Sequence, residues 1–176
     1  MHFYFDDVLH VGSDKSKVFA GIPPLAMAIC MPIGGWLSAR SERRLGGHLG
    51  RALVPATGMV LSAALLGVGV FAQQPGWIVF WFSLALGAAG LSEAAFWTTA
   101  VELGGKRGAL AAAICNTGGN AGGALAPYLT PLLSARYGWP AGISVGGIVC
   151  LLGALCWLGI RPEASTIPPD KNSSQK

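Results

Sequence analysis

Charge is what this chain has least of. Only 11% of its 176 residues are Asp, Glu, Lys or Arg, against roughly a quarter in a soluble domain. Between Val18 and Ile160, five long stretches exclude charge almost entirely, with Glu93 as the one exception. A water-soluble globular domain is excluded by that pattern. Histidine is also scarce: His2, His10 and His48 all lie in end segments or between apolar stretches. With no Ser/His, Asp/Asp or His/Glu arrangement inside those stretches, nothing points to an intramembrane enzyme or a metal centre, and no cofactor is implied. The four cysteines, Cys30, Cys115, Cys150 and Cys156, form no C-x-x-C pair and no disulfide framework. They read as small core or lipid-facing residues. Basic residues lie in short clusters between the stretches and not along one helical face, so no nucleic-acid footprint is present.

What is abundant agrees. Apolar residues make up 52%, glycines number 26 and mean hydropathy is +0.53. Each apolar stretch runs about twenty residues or more, enough at ~1.5 Å per residue to cross a ~30 Å hydrocarbon core. The expected fold is therefore an all-α integral membrane bundle of five transmembrane helices. The expected spans are 18–39 (with Pro32 as a kink), 52–72, 77–101, 109–133 and 139–160. Residues 1–17 form an external segment whose Phe3-Tyr4-Phe5 reads as the aromatic end of a preceding membrane helix. Residues 18–161 form the bundle, and residues 162–176 read as a polar, disordered tail.

Loop charge sets an expected orientation. Arg40, Arg43, Arg44, Arg51, Lys106, Arg107 and Arg161 follow spans one, three and five, whereas Arg136 alone follows two or four. The positive-inside rule places the first group and the C-terminus in the cytoplasm of a multi-pass plasma or inner membrane protein.

Two constellations stand out inside the spans. Glu93 costs ~2–3 kcal/mol to insert at mid-span, so something compensates it or uses it. It shares a helical face with Ala89, Gly90 and Trp97. Burial disfavours the charged form of a carboxyl, which suits a proton-coupling or solute-contacting role. The alternative is a structural acid bonded to a neighbouring helix. In the fourth span, Asn116 and Asn120 are four apart and share a face that Gly119, Gly123 and Pro127 continue. The pairs Gly118/Gly122 and Gly119/Gly123 admit close approach by a backbone or a ligand. The asparagines either bond across packed helices or line a polar cavity.

The run Gly35-Trp36-Leu37-Ser38-Ala39-Arg40-Ser41-Glu42-Arg43-Arg44 resembles the loop motif of the major facilitator superfamily, through Gly35, Arg40, Arg43 and Arg44. Ala39 stands where that motif has its acid, and Glu42 where it has a second glycine, as in the degraded copy of the C-terminal half. The spans then resemble helices eight to twelve of such a transporter. Glu93-Ala94-Ala95-Phe96-Trp97 and Asn116-Thr117-Gly118-Gly119-Asn120 are similar to helices ten and eleven of the anion:cation symporter branch. The resemblance implies the C-terminal half of a secondary transporter for an organic anion such as a sugar acid, commonly proton-coupled, with Asn116, Asn120 and Trp97 facing the substrate cavity. It implies as partners the bilayer, a small organic anion, protons and an N-terminal half, without which the chain is inactive. A self-sufficient membrane protein assembling through its glycine faces, without transport, is the alternative reading.

Overall fold

A computed structural model describes residues 13–160, apart from the side chains of residues 13–16 and of positions 47 and 48. Phe3-Tyr4-Phe5, His2, His10, Arg161 and the 162–176 tail lie outside the described residues, as do the side chains of Asp14 and His48. Five α-helices make up the described chain: α1 (Ser13–Leu45), α2 (Gly47–Val70), α3 (Pro75–Gly104), α4 (Gly108–Tyr137) and α5 (Trp139–Gly159). A single 3-10 turn, Gly105–Arg107, joins α3 to α4. The run from Pro75 to Tyr137 therefore holds two lengths of membrane-spanning helix with only that turn between them.

Three of the four junctions turn on a glycine with positive φ: Gly46 (63°), Gly105 (49°) and Gly138 (85°). A side chain is strained in that region, so these glycines stop one helix and redirect the next. At the fourth junction the chain leaves α2 at Phe71, and Pro75 opens α3, where its missing N–H costs nothing.

One expectation is corrected here. The stretch from Arg40 to Arg51 is not a loop: α1 continues through Leu45, and only Gly46 separates it from α2. Arg40, Arg43 and Arg44 thus ride on the end of α1, and Arg51 sits inside α2. The segment Ser41–Leu45 contains no glycine or proline to stop a helix, and cations in a last turn are favoured by the helix dipole. At 33 residues, α1 is about 50 Å long, so it outruns the hydrocarbon core.

α1 and α3 form the most extensive pair, and α2 packs against α3 and α5. Small residues make the α1–α3 seam possible. A Cβ on Gly90 would lie 2.8 Å from the Met27 carbonyl, and one on Gly34 would collide with the Leu91 backbone. The α2–α3 seam carries a buried bond, Ser92 Oγ donating to the Pro55 carbonyl at 3.0 Å. At one end, Ile78, Val79 and Phe82 are buried against Phe19, Leu66, Ala72 and Ile143. At the other, Arg51 of α2 donates to both Glu42 of α1 and Glu102 of α3, tying three helix ends to one guanidinium.

Candidate functional site

α4 is the outlier of the bundle. Its buried residues are Gly108 and Ser134, near its two ends, and every residue from Ala113 to Leu129 is exposed. It folds back along α3 from the Gly105–Arg107 turn, so that the first half of α4 faces the second half of α3. A cavity of about 490 Å³ opens there, lined by Glu93, Phe96 and Trp97 of α3 and by Cys115, Asn116, Gly118, Gly119 and Asn120 of α4. Glu93, Trp97, Asn116 and Asn120 come together as one wall from two helices.

Helical spacing does the local positioning. Trp97 lies one turn beyond Glu93, and its Nε1–H donates to Glu93 Oε1 at 3.1 Å. Asn120 lies one turn beyond Asn116, and its Nδ2 donates to Asn116 Oδ1 at 3.1 Å. Each pair fixes two side chains through a bond within its own helix. The Asn116 amide nitrogen and the Asn120 amide oxygen remain directed to neither partner, so the pair offers a donor and an acceptor to a solute hydroxyl. Thr117 contributes nothing comparable, because its Oγ1 donates back to the Ala113 carbonyl at 2.9 Å.

Glu93 is half-buried, and the indole is its bonding partner. No Lys or Arg lines the cavity among the described residues. The wall therefore offers amides, an acid, indole and phenyl faces and open glycine backbone, but no cation. Phe96 is held in place from behind, its ring edge-on to Trp157 of α5 at 5.2 Å, and Trp157 is only 1% exposed.

Other expectations fare differently. Gly90 belongs to the α1 seam and not to the cavity wall. Gly123 and Pro127 continue the α4 face beyond the residues that line the cavity. The four glycines Gly118, Gly119, Gly122 and Gly123 have no neighbour within 4 Å of a notional Cβ, so within the described chain none of them packs a helix. Gly35, Arg40, Arg43 and Arg44 are no part of the cavity: Gly35 faces Ala94, and Arg40 lies over the Trp36 ring at 5.6 Å. Sequence reasoning missed Phe96 and Cys115 as wall residues. Phe96 adjoins Trp97, and Cys115 adjoins Asn116, yet neither carries a polar signal of its own that separates cavity from lipid. Cys115, read as core or lipid-facing, is exposed on the cavity.

A multi-pass helical membrane protein with a polar cavity between two helices is the class these features define. Residues 4–176 match the family model of the Major Facilitator Superfamily, and the chain belongs to that family. It is 26% identical over 160 residues to the probable sulfoacetate transporter SauU of Cupriavidus necator, covering 90% of this chain and 37% of that protein. It is 24% identical over 181 residues to vesicular glutamate transporter 2.2 of Danio rerio, covering 98% of this chain and 31% of the relative. Over a shorter stretch of 60 residues, 32% of this chain and 14% of the relative, it is 42% identical to the membrane sensor protein UhpC of Salmonella typhimurium. These relatives are transporters and a sensor, not enzymes, and the chain spans at most 37% of the length of each.

Proposed function

We propose that this chain is the C-terminal half of a secondary active transporter for an organic anion such as a sugar acid, working as a proton symporter. The observation that carries the reading is the gathering of Glu93, Trp97, Asn116 and Asn120 on one cavity wall. The amides supply hydrogen bonds to solute hydroxyls, the indole and Phe96 supply apolar faces, and Glu93 is the one carboxyl on the wall. Relatives named for sulfoacetate and glutamate transport favour an anionic solute.

Electrostatics then assigns work to the part not present. An anion beside Glu93 requires either a proton on that carboxyl or a cation from elsewhere, and the wall supplies no cation. In this reading the facing half of the transporter provides it, and uptake of a proton by Glu93 accompanies entry of the anion. Two halves rocking about a midplane site would then alternate access. The chain alone transports nothing.

The orientation belongs to the same proposal: Gly46 faces the cytoplasm and Gln73 the outside, with the C-terminus inside. The test is uptake of a labelled sugar acid into vesicles under an inward proton gradient, by the chain alone and by the chain joined to a complementary N-terminal half. Uptake only in the joined form supports the reading; none in either form, with both correctly inserted, overturns it.

The open glycines of α4 favour a second reading, a membrane protein that self-assembles through that face without transport. Cysteines placed at Gly119 and Gly122 separate the two. Disulfide cross-links between copies of the chain in native membranes support self-assembly, and their absence supports the half-transporter.

A further inference from the structure

Among the described residues, Arg51 takes both carboxylates at its end of the bundle, and that leaves a surplus of positive charge. Glu42 and Glu102 each bond to Arg51. Arg43 and Arg44, at the end of α1, and Lys106 and Arg107, in the turn after α3, are exposed and bonded to no carboxylate among the described residues. Because one guanidinium reaches Glu42 and Glu102 together, the ends of α1 and α3 are neighbours, and the four cations extend from those two ends.

Apolar side chains stand directly beside them. Leu103, one turn before Lys106 and so on its membrane side, is 57% exposed. Trp36 is 62% exposed with Arg40 over its ring, an indole–cation pair of the kind that marks headgroup depth. Cations above an exposed leucine and an exposed indole fit a ligand with an anionic head and an apolar tail. A small soluble anion would use the cations and leave Leu103 and Trp36 without a role.

We infer that the junction of α1 with the Gly105–Arg107 turn is a binding site for an anionic phospholipid. The phosphate sits among Arg43, Arg44, Lys106 and Arg107, and the acyl chains lie along Leu103 and Trp36, which precede those cations toward the membrane. The Arg51 clamp makes the site by withdrawing the acids that would otherwise neutralise it.

The test uses the full chain in nanodiscs of equal phosphatidylcholine and phosphatidylglycerol, with retained lipid measured after detergent extraction. The protein should retain phosphatidylglycerol preferentially. The combined variant R43Q/R44Q/K106Q/R107Q, which leaves Arg51 intact, should lose at least roughly tenfold of that preference, since each basic residue near an anionic surface adds a factor of about five. The charge-keeping variant R43K/R44K/K106R/R107K should retain it. Raising salt to 0.5 M should shrink it in the unaltered chain, which keeps the test decisive if the Gln variant misfolds. Preference that survives both the Gln changes and salt overturns the inference. So does displacement of the lipid by millimolar inorganic phosphate, which would make the site one for a soluble anion.

Discussion

Glycine does opposite things in two regions of this molecule. Along the α1–α3 seam, Gly34 and Gly90 bring one backbone against another, and a single added carbon would meet carbonyl oxygen. Along α4, Gly118, Gly119, Gly122 and Gly123 form two pairs spaced four residues apart and meet nothing. The first region is a finished interface. The second is a bare face beside a cavity, with amides one turn apart along it. Small residues at four-residue spacing therefore announce a surface suited to close approach, but not what approaches it.

That contrast predicts its largest effect at Gly34. Gly34→Val should force α1 off α3 and cost ~3 kcal/mol or more, because backbone cannot move aside as a side chain can. Gly119→Ala, by the same logic, should leave stability unchanged or raise it by up to ~1 kcal/mol through better helix propensity. Denaturant unfolding of both variants in one detergent measures the difference. Equal destabilisation would mean that the α4 face is packed after all.

At the cavity, Asn116→Ala and Asn120→Ala in a complete transporter should each weaken solute binding by ~1–3 kcal/mol, since a buried hydroxyl loses its partner. Stability of the bundle should hardly change, because the two amides bond to each other and to no other helix. Calorimetric titration alongside thermal unfolding separates the two outcomes. Full affinity with lower stability in both variants would favour a packing role.

The smallest effect is expected at the clamp. Arg51→Met should cost only ~1 kcal/mol, because Glu42 and Glu102 are nearly half exposed and water screens the pairs. The loss should shrink further at high salt. A loss several times larger and insensitive to salt would show that the clamp is effectively buried.

Much of this was legible in advance, and the boundary is physical. Apolar length located all five helices, because crossing hydrocarbon imposes a length that no other context demands. Helical spacing paired Glu93 with Trp97 and Asn116 with Asn120, because residues four apart must be neighbours on any helix. That the two pairs share one cavity is a tertiary fact: it depends on α3 and α4 folding back about Gly105, and periodicity within a helix carries no information across helices. Likewise, the stretch from Arg40 to Arg51 reads as loop because charge ends a membrane span, whereas it does not end a helix. Arg51 looked like one more loop cation until packing placed it between Glu42 and Glu102.

The account rests on Glu93 as the working acid of the cavity. Glu93→Gln keeps the size of the side chain and its acceptor for the Trp97 indole, but cannot take up and release a proton. In vesicles holding a complete transporter, proton-driven accumulation of the organic anion should be abolished in this variant, while exchange of solute down its own gradient persists. Accumulation at the unaltered level under the same proton gradient would contradict the account and leave Glu93 a structural acid.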